Sequence, residues 1–441
     1  MTPTSPPSPP SPPAPPTAHP ALRSQTAVFG PPELQFGSEV RSVVVVGVEG
    51  GRVAAGGEAA LASAEVVLGA RRHLAAVVLP DGVERIELGA VEPALHRLAG
   101  RRAVVLASGD PGFFGIVRLL RERGFHPVVL PSPSSVATLF ARLGRSWDDV
   151  AVVSAHGRSL GPAVNVCRAR SAVAVLTAPG AGPAEIGAAL HGWPRTLVVA
   201  EDLGGPAERL VSVPADGAAD RDWDPLNVVL CLRDPHAVPD RGWYAGGEPV
   251  PAAGGWALPD DDFAHRAGMV TKAEVRALAL ARLGPRPGEL VWDVGAGSGS
   301  VAVECARFGA AALAVERRAD DAERIAANAA RLGVDVRVVP GEAPAALAGL
   351  PQPDAVFVGG GGPAVVTAVA AVRPARIVVP LAALDRIGPT RAALRAAGYA
   401  VDGVQLAASR LAPLPDGAVR LAATNPIVLL WGDLDEGDPD R

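Results

Sequence analysis

Residues 290–300, LVWDVGAGSGS, decide the fold. Leu290, Val291 and Trp292 form an apolar run that suits a buried parallel strand. The run stops at Asp293 and opens into a turn with Gly295, Gly297 and Gly299 at alternate positions. Glycine adopts backbone angles closed to other residues and lets a ligand approach the main chain. Helical spacing follows from Val301 to Phe308, so the turn aims helix N–H groups at whatever it cradles. A second strand over 311–315 ends in Glu316. That acid follows the first glycine by about 20 residues, the spacing of a carboxylate that grips ribose hydroxyls.

A dinucleotide fingerprint needs G-x-G-x-x-G/A. Here the third glycine comes one place early and Ser300 takes the expected position. The pattern G-x-G-x-G, with Asp293 two residues ahead, resembles instead the S-adenosylmethionine (SAM) loop of class I methyltransferases. That resemblance implies cofactor contacts at Thr271, Gly295, Ala296, Gly297, Ser298, Gly299, Glu316 and Ala343. Ala343 follows a strand in Gly341-Glu342-Ala343-Pro344, where the adenine would rest, and Glu342 could accept from the adenine amino group.

At 441 residues the chain has room for two to three domains. It is 49% apolar and 4% aromatic, the composition of a globular α/β protein. A net charge of −5 gives no overall pull toward nucleic acid. No apolar run reaches the ~20 residues of a membrane helix. Cys167, Cys231 and Cys305 form no C-x-x-C pair. They fit a reducing, cytoplasmic compartment and argue against disulfides and structural zinc, so no metal is expected. Residues 1–37 begin with Pro, Ser, Thr and Ala and lack the basic start and apolar core of a signal peptide. They read as an extended, disordered tail.

Strands are expected over 43–46, 64–69, 103–107, 127–130, 150–154, 172–176, 196–200 and 227–232, with helices over 53–61, 116–123 and 136–143. The Pro/Gly/Asp-rich stretch 236–262 reads as a linker between a domain over 38–235 and one over 263–435. In the second domain Thr271 can cap a helix over 272–283. Further strands over 335–339, 355–358, 376–380, 401–406 and 427–431 complete a doubly wound sheet, the last two as an antiparallel hairpin at one edge.

In the first domain Ser108-Gly109-Asp110-Pro111, Pro131-Ser132-Pro133-Ser134-Ser135 and Ser154-Ala155-His156-Gly157-Arg158 resemble class III, tetrapyrrole-type methyltransferases. So does Ala200-Glu201-Asp202-Leu203-Gly204 with Glu208-Arg209. The resemblance implies a fold of two α/β subdomains with SAM in the cleft between them. It implies cofactor contacts at Gly47, Gly109, Asp110 and Ser135, with Asp110 orienting loop amides. Arg158 and His156 would face the substrate, His156 also as a catalytic candidate. Gly47-Val48-Glu49-Gly50-Gly51 is one residue shorter than that family's G-x-G-x-x-G loop.

A class III unit followed by a Rossmann-like class I unit resembles the bifunctional decarboxylating precorrin methyltransferases. The join DDFAHRAGMVTKAEVR (261–276), WDVGAGSGS and Thr424-Asn425-Pro426 carry this likeness, over roughly residues 40–432. It implies SAM-dependent methylation of precorrin-6Y/6B at positions 5 and 15 with loss of the ring C acetate carboxyl, giving precorrin-8X in cobalamin synthesis. One SAM site per domain is implied, and a homo-oligomer formed through the C-terminal domain. A polycarboxylate substrate needs a basic rim, for which Arg266, Lys272 and Arg276 are candidates, with His265 a candidate proton donor. The rivals are a SAM-dependent RNA methyltransferase, and a pairing of one SAM-sensing with one catalytic domain. Amino-group methyltransferases of nucleic acid carry Asn/Asp-Pro-Pro-aromatic where this chain reads Gly359-Gly360-Gly361-Gly362. No dense basic stripe with aromatics appears either, so neither nucleic acid nor membrane is an expected partner.

Overall fold

The computed structural model describes residues 42–89, 91–238, 245–246, 255–266 and 268–434. The tail expected over 1–37 and part of the 236–262 linker lie outside them. The α/β fold class holds throughout, in three principal sheets.

The first sheet is built on β1 (Ser42–Glu49), SVVVVGVE, whose interior is buried on both faces. An unalternating β-branched run is what a central parallel strand requires. It lies parallel to β5 (Ala103–Ser108) on one side and β6 (His126–Leu130) on the other. β3 (Val66–Gly69) and β4 (Glu84–Glu87) extend the sheet beyond β5. The short β2 (Arg52–Val53) folds back on the end of β1. This corrects the helix expected over 53–61. Gly50 and Gly51, at φ +54° and +81°, reverse the chain, so the helix starts only at Gly57.

The second sheet runs β10 (Arg209–Pro214), β9 (Thr196–Glu201), β11 (Asn227–Leu232), β8 (Ala172–Leu176), β7 (Ala151–Ser154). β7 and β8 are parallel and the other neighbours antiparallel.

The third sheet runs β14 (Val336–Pro340), β13 (Ala311–Glu316), β12 (Leu290–Val294), β15 (Ala355–Val358), β16 (Arg376–Leu381), β20 (Ile427–Leu434), β17 (Tyr399–Leu406). The first five are parallel; β20 and β17 are antiparallel. The expected edge pair is present, but it is not a simple hairpin. Between its strands the chain makes a separate two-stranded ribbon, β18 (Ser409–Pro413) with β19 (Val419–Ala423). Strand order reverses between β12 and β15, and ligands bind at the carboxyl ends of such switch points.

The second and third sheets belong to units that touch. Trp193, which follows the helix Pro183–Ala189, is buried among Leu290, Trp292 and Leu313 of the third sheet's core. The guanidinium carbons of Arg168 and Arg337 lie 4.3 and 4.5 Å from its ring centre. Arg195 pairs with Asp335 at 2.7 Å, and Asn165 donates to the Gly288 carbonyl at 3.0 Å.

Candidate active sites

At the end of β12 the three alternate glycines all take left-handed angles, φ +73°, +56° and +71°. Two are also needed for packing. A Cβ on Gly295 would lie 2.9 Å from the Gly360 nitrogen, and one on Gly299 would lie 2.6 Å from Ile325. At Gly297 the nearest atom is the Met269 carbonyl oxygen, 3.9 Å away, so the middle glycine faces open space. Of the three, Gly297 is thus the one whose packing would admit a side chain or a ligand close to the main chain.

Two acids hold the loop. Asp293 is buried beneath it and accepts from the Ala302 N–H at 3.0 Å, fixing the start of the helix Ser300–Arg307. Burial pushes its carboxyl up to about 7, and its second oxygen has no partner among the described residues. Glu316 accepts from the Gly297 N–H at 2.9 Å through one oxygen and from the Arg318 N–H at 3.0 Å through the other. Each oxygen keeps a further lone pair for a ligand hydroxyl.

Asn328, on the helix Ala319–Arg331, ties the preceding segment across the loop. Its amide donates to the Ala264 and Ser298 carbonyls and accepts from the Ala264 N–H, all at 2.9–3.0 Å. Ala343 packs on the third-sheet core. Gly341 donates to the Glu316 carbonyl at 2.9 Å, which brings 341–343 beside the acid. Gly295, Ala296, Gly297, Ser298, Gly299, Glu316 and Ala343 are therefore gathered at the carboxyl ends of neighbouring strands. Glu342 is exposed and 3.4 Å from Arg317.

The entry segment departs from the sequence reading in two respects. Thr271 does not cap the next helix: the Ala273 N–H donates to Asp260, at 2.9 Å. Asp260 sits in a short 3-10 turn that no local pattern linked to the helix. Arg276 belongs neither to a basic rim nor to an exposed face. It is wholly buried, bonded to the Thr271 and Leu258 carbonyls, 3.4 Å from the buried Glu304 and stacked on Phe263. Helical spacing turned it inward, where Glu304 supplies the countercharge. Arg266 remains at the surface 3.6 Å from Asp321, and Lys272 lies 3.5 Å from Asp260. His265 Nδ1 accepts from the Gly268 N–H at 3.2 Å.

In the N-terminal half a cavity of about 330 Å³ lies between the first two sheets. Its wall includes Gly50, Gly109 and Ser135 from the first sheet's loops and Asp202 and Asn227 from the second. Gly47 lies beneath, where a Cβ would come within 2.2 Å of the Gly109 carbonyl oxygen and 2.5 Å of the Ser132 nitrogen. The shortened first loop reaches the second sheet: Gly50 packs so closely on Gly204 that a Cβ would lie 1.9 Å from its oxygen. The Asp110 carboxylate accepts from the Gly112 N–H at 2.8 Å and so shapes its own loop. Ser134 caps the helix Ser135–Leu143 by accepting from Ala137. His156 and Arg158 are exposed after β7, an edge strand, and do not form part of this wall.

Sequence reasoning passed over Arg72 and His73, which line the cavity opposite Asp202. Arg72 donates to Ser108 Oγ at 2.8 Å, and that hydroxyl lies 3.1 Å from His73 Nε2. Burial, and then the Arg72 charge, push His73 down to about 4, so its ring is neutral near pH 7. A signal was available, because RRHL follows directly on the carboxyl end of a parallel strand.

Among the described residues no cluster of His, Cys, Asp and Glu could hold a metal, and no helix is long and apolar enough to cross a membrane. All three cysteines are buried free thiols.

Comparison with known proteins matches residues 43–219 to the tetrapyrrole (corrin/porphyrin) methylases and 261–413 to the precorrin methyltransferase domain. A Sinorhizobium protein named precorrin-6Y C(5,15)-methyltransferase (decarboxylating) is 41% identical over 335 residues, covering 73% of this chain and 78% of the relative. A Salmonella typhimurium cobalt-precorrin-7 C(5)-methyltransferase is 35% identical over 182 residues, 39% of this chain and 88% of the relative. A Pyrobaculum calidifontis protein named as a probable cobalt-precorrin-6B C(15)-methyltransferase (decarboxylating) is 43% identical over 120 residues, 25% of this chain and 62% of the relative.

Proposed function

The chain belongs to the precorrin-6Y C(5,15)-methyltransferase (decarboxylating) family, and from that premise we propose that it methylates a precorrin at positions 5 and 15 and removes carbon dioxide from the ring C acetate. The methyl donor is SAM, with one site in each of two units, 38–235 and 263–435, joined through 236–262. The single observation that carries this is the presence, on one chain, of both an inter-sheet cavity walled by Gly109 and Ser135 and a glycine loop beside Glu316. Relatives named for one or the other activity each match less than half of this chain, which supports a division of labour. The N-terminal unit methylates position 5; the C-terminal unit decarboxylates and methylates position 15.

Bound SAM supplies an electrophilic methyl group. What the chain supplies is placement, which can account for several kcal/mol of a barrier. Gly297 leaves room for the donor, Glu316 offers acceptors to ribose hydroxyls, and 341–343 border the adenine. Thr271 lies on the segment stapled across the loop. Arg266 and Lys272 offer cations to the substrate's carboxylates, although each already has an acidic neighbour. His156 and Arg158 stand outside the N-terminal cavity wall and meet the substrate's periphery, while His265, next to the Ala264 that Asn328 ties to the loop, is the candidate proton donor. The conjugated macrocycle can take up the electron pair left by the departing carboxyl, so the chain's task there is to hold that acetate in line.

The oligomer forms through the C-terminal unit. Leu411 and Leu421 face one another across β18–β19, with Val419 two residues along on the same side, at 73%, 68% and 62% exposure. A lone two-stranded ribbon is marginal in water, and an apolar face on it favours a second copy. The three buried thiols suit a reducing cytoplasm.

Incubation of the full chain with SAM and precorrin-6Y, or its reduced form, followed by mass spectrometry, tests the whole reading. A gain of two methyl groups with loss of one carbon dioxide is expected. An unchanged mass, with substrate that an authentic enzyme turns over, rejects it.

A further inference from the structure

Among the described residues, Arg72, the cation that lines the inter-sheet cavity, forms no ion pair. Arg72 lines that cavity and bonds to a hydroxyl, Ser108 Oγ, at 2.8 Å. None of the ion pairs among the described residues involves Arg72. Two acids line the same cavity and neither pairs with Arg72: Glu49 accepts from the Thr138 hydroxyl at 2.6 Å and Asp202 from the Ala207 N–H at 2.9 Å. A guanidinium has five N–H donors in a planar fork that matches a carboxylate, and Ser108 takes one edge.

The edge it takes is fixed from behind. His73 is 8% exposed, and its Nε2 lies 3.1 Å from Ser108 Oγ. When the neutral ring accepts the hydroxyl hydrogen there, the hydroxyl oxygen is turned to Arg72 as an acceptor. Ring, hydroxyl and guanidinium thus form a chain along the cavity lining, with the ring its most buried member.

We propose that Arg72 is a carboxylate-binding residue of the N-terminal cavity, with Ser108 and His73 as its positioning pair. This rests on the proposed methyl transfer in that unit. The carboxylate belongs either to the amino-acid end of the methyl donor or to an acetate or propionate arm of the tetrapyrrole.

The experiment uses the full chain carrying Gly297→Arg, so that one donor site remains. S-adenosylhomocysteine and 5′-methylthioadenosine, which lacks the carboxylate, are titrated by calorimetry, and position-5 methylation is followed by mass spectrometry. If the donor is gripped, Arg72→Gln weakens S-adenosylhomocysteine about 10- to 100-fold and leaves 5′-methylthioadenosine unchanged. If the macrocycle is gripped, both titrations are unchanged and the tetrapyrrole KM rises by a similar factor at constant kcat. In either case Arg72→Lys restores part of the loss, and Ser108→Ala moves the same quantity by less. No change in Arg72→Gln, a fall in kcat alone, or equal weakening of both nucleosides overturns the assignment. Failure of the Arg72 parent itself to bind S-adenosylhomocysteine or to methylate would count against the proposed function instead.

Discussion

Three glycines in one loop do different work, and the difference is testable. Gly295 and Gly299 are pressed by Gly360 and Ile325, whereas Gly297 has only its left-handed angle and open space. A side chain at 297 therefore costs about 1–3 kcal/mol of backbone strain without a clash, while filling the proposed donor site. Gly297→Arg is expected to fold, to keep position-5 methylation and to lose position-15 methylation and decarboxylation, as read by product mass; full activity would misplace the loop. Asp293 beneath it carries a pH signature. Its carboxyl is raised from 3.8 to about 7 by burial, with the Glu316 charge a lesser cause, so the folded state holds the proton more tightly than the unfolded one. Stability from this group is full below about 4, falls as pH rises toward 7, and stays low above it. The loss amounts to roughly 4 kcal/mol at most. Asp293→Asn keeps an acceptor for Ala302 and removes the titration. Calorimetry at pH 5 and pH 8 should show a smaller stability difference in the variant than in the parent, and equal differences would exclude this account.

At the scale of elements, strand, turn, helix and following acid were legible because each is encoded within a few residues. The staple on that loop was not. Asn328 reaches carbonyls 64 and 30 residues away, and nothing in its own helix marks it as other than a polar position. Arg276 misled for the same reason: its countercharge Glu304 is 28 residues distant. β10, by contrast, carried its signal in the short apolar, β-branched run LVSV and was overlooked. Asn328→Ala leaves the Ser298 and Ala264 carbonyls and the Ala264 N–H without their partner. The cost is about 1–3 kcal/mol for each group that water does not reach. The variant should melt earlier and show a raised KM for SAM in position-15 methylation, with the position-5 KM unchanged; a shift in both would locate the effect elsewhere. The ribbon β18–β19 was missed because its apolar residues are exposed and so have no local reason to be strand. Arg410 anchors its base through Glu274 at 2.7 and 2.9 Å and Asp260 at 2.9 Å, which leaves the Leu411–Leu421 face turned outward. Leu421→Glu should lower the mass in sedimentation equilibrium without altering the mass changes catalysed; an unchanged oligomer would remove the ribbon from the interface.

For the whole molecule, the question is whether two units on one chain behave as one body. Trp193 is the contact that decides it. Its ring is buried in the third sheet's core although it belongs to the segment that leads into the second sheet, and Arg168 and Arg337 lie against it from either unit. Arg195, wholly buried, spans the same junction to Asp335 while its remaining donors satisfy the Cys167, Arg168 and Pro194 carbonyls. Removing the ring would empty a buried site and cost about 3–5 kcal/mol, the range for large aromatics replaced by alanine. Removing Asp335 would leave a buried charge without its partner, yet three backbone acceptors still hold the guanidinium, so a loss of about 1–3 kcal/mol is expected. Neither change touches the cavity or the glycine loop. Both energies are coupling between units, so their loss should show in the shape of the transition. Scanning calorimetry of the parent should give one endotherm covering both units; Trp193→Ala should resolve it into two, and Asp335→Ala should broaden it. Two endotherms already in the parent, or one undivided endotherm in Trp193→Ala, would mean that this contact does not couple the units.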